Sequence, residues 1–241
     1  MTTPDKTHVK ALVFDIFGTV VDWRSSTIAE LTAFGKSKGI SADWVRIADE
    51  WRGLYQPSMD AVRTGKRPWT ILDVLHRESL ETLLAQHKIM GLSDADKDHL
   101  TKIWHRLKPW PDVVAGLTRL KSHYIIGTLS NGNVGLLTRM AKNAGLPWDV
   151  ILGAETAEAY KPMPRAYQRA CLLLNLPPAE VMLVAAHNGD LAGAAAEGMA
   201  TAFIARPTEY GPHQKYDFKA EKAWTVIAAD FGALATAMGC P

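Results

Sequence analysis

Short runs rich in apolar residues alternate along the chain with segments whose apolar residues recur every three or four positions. The runs lie at residues 9–14, 124–129, 150–152, 181–186 and 200–204. They are too short for helices and lack a polar alternation, as expected of parallel strands buried on both faces. Helical spacing covers 111–121, 134–144, 165–174 and 191–197, with Gly145 and Gly198 where glycine ends a helix. Strand and helix in turn over 107–205 predict an α/β fold with an open, mostly parallel sheet. Residues 22–106 differ, being helical in pattern almost throughout. Ser25 and Ser41 are candidate N-caps, Pro68 would open a third helix, and Ser93 with Asp96 resembles a capping box. A parallel sheet interrupted after its first strand by helices predicts an inserted helical cap at 22–106 on a core of 1–21 and 107–241. The chain would cross near 20–22 and 107–109. The polar stretch 206–216, with Pro207, Gly211 and Pro212, reads as a surface loop; 224–228 reads as an edge strand and 231–238 as a last helix.

Length agrees with this division. At ~150 residues per domain, 241 residues correspond to one large domain or a core carrying a smaller one. Five of the eight tryptophans, at 23, 44, 51, 69 and 104, fall in the expected cap, so large apolar side chains concentrate there. The 27 basic and 25 acidic residues leave a formal +2, without the basic excess of a nucleic-acid binder. Two cysteines make no disulfide framework and fit a reducing compartment. The N-terminus has no signal-peptide core, and no run approaches the ~18 apolar residues of a membrane span. A cytoplasmic protein is the expectation.

Ligands of open α/β sheets bind beyond the carboxyl ends of the strands. Those ends carry Asp15, then Ser130 and Asn131, then Lys161 in the following loop, then His187 to Asp190. Each alone reads equally well as a loop residue or cap. Four successive strand ends with Asp15, Ser130, Lys161 and Asp190 read as a site.

The segments FDIFGT (14–19), LSNG (129–132), YKPMPRAY (160–167) and VAAHNGD (184–190) resemble the four motifs of the haloacid dehalogenase superfamily, most of all its type II 2-haloacid dehalogenases. The resemblance spans nearly the whole chain. It implies a Rossmann-like core with a cap and covalent hydrolysis of a 2-haloacid. Asp15 would attack the halogen-bearing carbon, and water would open the resulting ester to give a 2-hydroxy acid. Lys161 would hold Asp15 ionised. Asp190 is the candidate to activate water, with His187 as rival or helper. Thr19 and Ser130 would hydrogen-bond around Asp15, and Ile16 and Phe17 would offer backbone N–H groups to the substrate carboxylate or the ester oxyanion. Tyr167 matches a tyrosine near the family's active site. Asn131 would help cradle the halide. DEWRGLY (49–55) matches the segment supplying the family's halide-binding arginine, which assigns Arg52; Arg46, Arg63 and Arg67 are neighbouring alternatives. Trp69 or Trp51 would line the pocket, against the plainer role of packing within the cap. The expected partners are a small anionic 2-haloacid and its halide; the family suggests a homodimer.

Phe17 stands where the superfamily's phosphatases carry a second Asp that protonates a leaving alkoxide. Halide needs no proton. The fourth motif offers Asp190 beside His187 and Asn188, a poor Mg²⁺ set for an ion that prefers hard oxygen ligands. No cofactor or metal is therefore expected. The alternatives are a Mg²⁺-dependent phosphatase and a catalytically silent binding protein. Where the type II pattern resembles Ser-Ser-Asn-x-x-Asp, this chain has Ala185, Ala186, His187 and Asp190. An imidazole in place of an amide would tighten the leaving-group space, making haloacetates, fluoroacetate among them, candidate substrates.

Overall fold

The computed structural model describes residues 5–241. The first four residues of the segment examined for a signal peptide lie outside that range. In chain order, β1 (Ala11–Phe14) is followed by β2 (Val21–Asp22) and then by four helices, α1 (Trp23–Lys38), α2 (Trp44–Arg63), α3 (Leu72–Gln86) and α4 (Asp94–Thr101). After β3 (Lys108–Pro109) the chain alternates through α5 (Val113–Lys121), β4 (Ile125–Ser130), α6 (Val134–Ala144), β5 (Val150–Gly153) and α7 (Pro164–Leu174). It continues through β6 (Val181–Ala185), α8 (Asn188–Ala196), β7 (Ala200–Ile204), β8 (Val226–Ala228) and α9 (Phe231–Ala237).

Six strands form one parallel sheet in the order β5-β4-β1-β6-β7-β8. β1 lies inside it, registered Leu12 to Ile126 on one side and Leu12 to Met182 on the other. All four β1 side chains are buried, which explains a run without polar alternation. The strand order reverses about β1, so the carboxyl ends of β1, β4 and β6 open into one crevice. β2 and β3 pair antiparallel at the two chain crossings, Val21 with Pro109 and Asp22 with Lys108.

The helical insertion forms as expected, with different starts. α1 is capped by Asp22, which accepts from the Ser25 N–H, and α2 by Asp43, which accepts from Arg46; Ser25 and Ser41 do not cap. A carboxylate at either place also complements the helix dipole. Pro68 does not open α3. Thr70 Oγ1 bonds the Pro68 carbonyl and Ile71 is extended, so the helix begins at Leu72. Its first turn is satisfied from the core, where Asn133 Oδ1 accepts from Asp73 N–H. The Ser93–Asp96 capping box is present, and β8 is the expected edge strand. The stretch 206–216 is not simply a surface loop, because Arg206, Glu209 and Gln214 are buried in it. No helix among the described residues is long and apolar enough to cross a membrane.

Candidate active site

Directly beyond β1, Asp15 is buried, and its N–H continues the ladder to β6 by bonding the Val184 carbonyl. Thr19 Oγ1 accepts from Ala186 N–H at 2.9 Å and donates to Asp15 Oδ2 at 2.7 Å. Lys161 Nζ is 3.0 Å from Asp15 Oδ1 and also bonds Asp190 Oδ2. Asp190, in the first turn of α8, accepts from Tyr167 OH at 2.7 Å. Gly193 makes that bond possible, since a Cβ there would stand 2.5 Å from the Tyr167 oxygen. Asn131 Oδ1 accepts from the Lys161 N–H at 2.7 Å, which ties the turn after β4 to the lysine loop.

His187 lies between two carboxylates. Nδ1 is 3.1 Å from Asp15 Oδ2 and Nε2 is 2.9 Å from Glu209 Oε2. Glu209 also accepts from Trp23 Nε1 at 3.0 Å and stands 4.0 Å from Arg52 Nη2. Its approach requires Gly18, whose φ is +92° and whose added Cβ would fall 2.1 Å from Glu209 Oε1.

These contacts set the charge states. Burial alone would raise Asp15, but Lys161 and the bonds from His187 and Thr19 hold it well below the usual carboxylate range. Burial opposes the charged form of Lys161, and Asp15 and Asp190 overcome it, so the ammonium is held above its ordinary value. Burial likewise disfavours a charged His187, yet Glu209 and the bond to Asp15 hold it well above the ordinary imidazole. Burial, aided by Asp15, raises Asp190.

A cavity of about 390 Å³ opens on this cluster, lined by Asp15, Phe17, Asn131, Lys161, His187 and Asp190 from the core. α2 contributes Arg52 and Tyr55 to the same walls, and the loop after β7 contributes Tyr210. The Arg52 guanidinium lies 4.3 Å from the Tyr55 ring and 5.2 Å from Trp23; its Nη1 is buried without a hydrogen-bond partner. The backbone N–H groups of Ile16 and Phe17 have no intramolecular acceptor among the described residues. The Phe17 ring meets Tyr55, His76 and Trp104 edge-on, at centroid distances of 6.1, 6.5 and 5.9 Å. The cavity thus joins an ionised, braced carboxylate to a guanidinium with one unpartnered nitrogen over an aromatic wall. That arrangement suits a small anion with an electrophilic carbon.

Of the expected site residues, Asp15, Phe17, Arg52, Asn131, Lys161, His187 and Asp190 meet in the cavity, with Thr19 and Tyr167 directly behind. Ser130 does not reach Asp15; its Oγ accepts from Gly132 N–H in its own turn. Trp69 does not line the cavity. It packs on Tyr160 at 4.9 Å, drawn there because Tyr160 OH bonds the adjacent Thr70 carbonyl. Trp51 is buried against Trp104 and His76 inside the cap. His187, with acceptor-only carboxylates on both nitrogens, must carry hydrogen on both and has no lone pair for water. Three contributors were not anticipated. Tyr55 follows Arg52 by three positions and so shares its helix face, a signal that was available. Glu209 and Tyr210 adjoin in a polar stretch, and no local pattern marks them.

The donor set does not fit Mg²⁺. Asp15 and Asp190 are both engaged by Lys161, and no cluster of three His, Cys, Asp or Glu side chains among the described residues is disposed to hold an ion.

The haloacid dehalogenase-like hydrolase family matches residues 9–198, and the chain belongs to that family. Its relatives include (S)-2-haloacid dehalogenase 4A of Burkholderia cepacia, 33% identical over 212 residues, which are 84% of this chain and 87% of that one. Among solved structures, a defluorinating L-2-haloacid dehalogenase superposes with a TM-score of 0.94 at 48% identity, over 96% of both chains. Another L-2-haloacid dehalogenase superposes with a TM-score of 0.93 at 49% identity, over 96% of this chain and 99% of that one.

Proposed function

We propose that this protein is a hydrolase of carbon–halide bonds that converts small 2-haloacids to 2-hydroxy acids through an ester on Asp15, without a metal. The observation that carries the reading is Asp15 itself. It is ionised, braced by Lys161, and shares one cavity with the unpartnered Nη1 of Arg52 and the apolar ring of Phe17. The substrate carboxylate is received by the N–H groups of Ile16 and Phe17. Asp15 displaces halide in line, and the halide departs toward Arg52 and the Asn131 amide. Asp190, with its pKa raised and Tyr167 fixing its other oxygen, takes the proton from the attacking water. Water then adds to the ester carbonyl, and Asp15 is regenerated.

The relatives named for (S)- or L-2-haloacids support the S enantiomer as substrate. In-line displacement inverts the centre and gives the R product. Haloacetates, including fluoroacetate, are the smallest substrates; His187 in the fourth motif and the likeness to a defluorinating enzyme support them. The cap at 22–106 works as a lid on the core at 1–21 and 107–241, in a cytoplasmic homodimer.

The test is to incubate the protein with chloroacetate and with a small phosphate ester, each with and without excess chelator. Halide release unaffected by chelator is expected. Metal-dependent phosphate release would instead support the phosphatase reading, which Phe17 opposes, and neither product would support a silent binding protein. A fluoride-selective electrode tests fluoroacetate; good chloride release with no fluoride signal would remove it from the substrate range.

A further inference from the structure

We propose that Glu209 is a positioning residue that fixes His187 as a doubly protonated donor to Asp15 Oδ2, making Oδ2 the oxyanion of the hydrolytic step and Oδ1 the attacking oxygen. The inference rests on the dehalogenase reading above and assigns the two oxygens of its nucleophile. Geometry distinguishes them. Oδ2 accepts from Thr19 at 2.7 Å and from His187 at 3.1 Å, whereas Oδ1 faces Lys161 at 3.0 Å. Thr19 has no choice of direction, because an ionised Asp15 oxygen can only accept, while the Thr19 oxygen itself accepts from Ala186 N–H. His187 has none either, because Glu209 Oε2 takes the hydrogen on Nε2 and Asp15 the one on Nδ1. The more heavily solvated oxygen is the weaker nucleophile, so attack falls to Oδ1.

Glu209 is held as firmly as the group it orients. Trp23 Nε1 donates to its other oxygen. Its loop is pinned by Arg206, which makes a bidentate pair with Asp112 at 2.9 Å on both arms and donates to the Thr19 carbonyl. Gln214 closes the loop by donating to the Arg206 carbonyl and accepting from Tyr210 N–H. The imidazolium is therefore preorganised before charge develops, which is the condition for strong oxyanion stabilisation.

The atoms balance as follows. Oδ1 bonds to the substrate carbon as the carbon–halogen bond breaks and halide leaves with the electron pair. Water adds to the Asp15 carboxyl carbon and gives one proton to Asp190, and the negative charge resides on Oδ2 beside Thr19 and His187. The bond from the carboxyl carbon to Oδ1 then breaks. Oδ1 leaves as the product hydroxyl with a proton from Lys161. The hydroxyl left on the carboxyl carbon gives its proton back to Lys161, Asp190 releases its proton to solvent, and the water oxygen remains in Asp15.

The test is Glu209→Gln, which keeps shape and an acceptor for Trp23 but removes the charge that holds His187 cationic. Wild type and variant are mixed with excess chloroacetate, following the chloride burst, the steady state and the intact protein mass. The variant should keep a rapid first equivalent of chloride, fall about 10–100-fold in steady-state turnover, and accumulate protein heavier by one carboxymethyl group. Glu209→Asp, retaining the charge, should restore part of the turnover; if the Gln variant is unfolded by circular dichroism, the Asp variant carries the same comparison with a smaller effect. Wild-type turnover in the variant, or a burst slowed as much as the steady state with no ester accumulating, overturns the proposal. Wild type that releases no chloride overturns the dehalogenase reading along with it; normal wild-type release without ester in either variant overturns this inference alone.

Discussion

Arg52 is a charge held among aromatic rings with one nitrogen left free, and that is costly unless something anionic occupies the space. Burial would discharge it, but Tyr210, Tyr55 and Glu209 keep its pKa above the ordinary guanidinium value. Arg52→Ala should lower kcat for chloroacetate about 10²–10³-fold with the fold intact, as judged by halide-release kinetics and circular dichroism. His76 behaves oppositely. It is buried with both ring nitrogens unpartnered, stacked 4.4 Å from Trp104, and burial pushes its pKa down to about 3. A histidine whose folded pKa is depressed contributes full stability above its unfolded value of about 6.5 and loses it as pH falls toward 3. His76→Phe should therefore narrow the gap between the melting temperatures at pH 7 and pH 5; an unchanged gap would contradict this. At this scale Asp15, Lys161 and Asp190 were legible because strand ends concentrate chemistry. Glu209 was not, because its meaning lies in partners such as Trp23, 186 residues away.

Helix α2 shows how one element serves both packing and chemistry. Trp51 and Met59 are buried in the cap interior, while Arg52 and Tyr55, three positions apart, face the cavity and Arg63, at the helix end, donates to the Lys161 carbonyl. The turn after β1 is as constrained. Gly18→Ala must adopt a left-handed backbone, costing about 1–2 kcal/mol, and its Cβ must displace Glu209. Both thermal stability and turnover should fall; a variant losing stability but keeping full turnover would show that Glu209 need not sit there. The helices and strands themselves were legible from periodicity, but their starts were less so. Asp22 and Asp43 cap where serines were expected, because Asp and Ser serve about equally well as N-caps and residue type alone does not choose between neighbours two or three positions apart.

Across the whole molecule, the insertion of helices after the first strand was visible in the alternation of apolar patterns. How the helices seat on the sheet was not. That seating rests on long-range polar contacts: Tyr160 OH to the Thr70 carbonyl at 2.6 Å, Asn133 to Asp73 at 3.1 Å, and Trp23 Nε1 to Glu209 at 3.0 Å. They close the aromatic wall over a cluster in which three carboxylates, Asp15, Asp190 and Glu209, face three cations, Lys161, His187 and Arg52. The chain's near-neutral net charge is thus no guide to the site, where opposite charges are set against one another and Arg52 Nη1 is left free.

The central claim is that Asp15 bonds to the substrate carbon and water attacks Asp15. With protein in excess over chloroacetate in ¹⁸O-water, a single turnover should leave ¹⁸O in the carboxylate of the peptide bearing Asp15 and yield unlabelled glycolate, both read by mass spectrometry. Label in the glycolate, with none in that peptide, would mean that water attacks the substrate directly and would contradict the account.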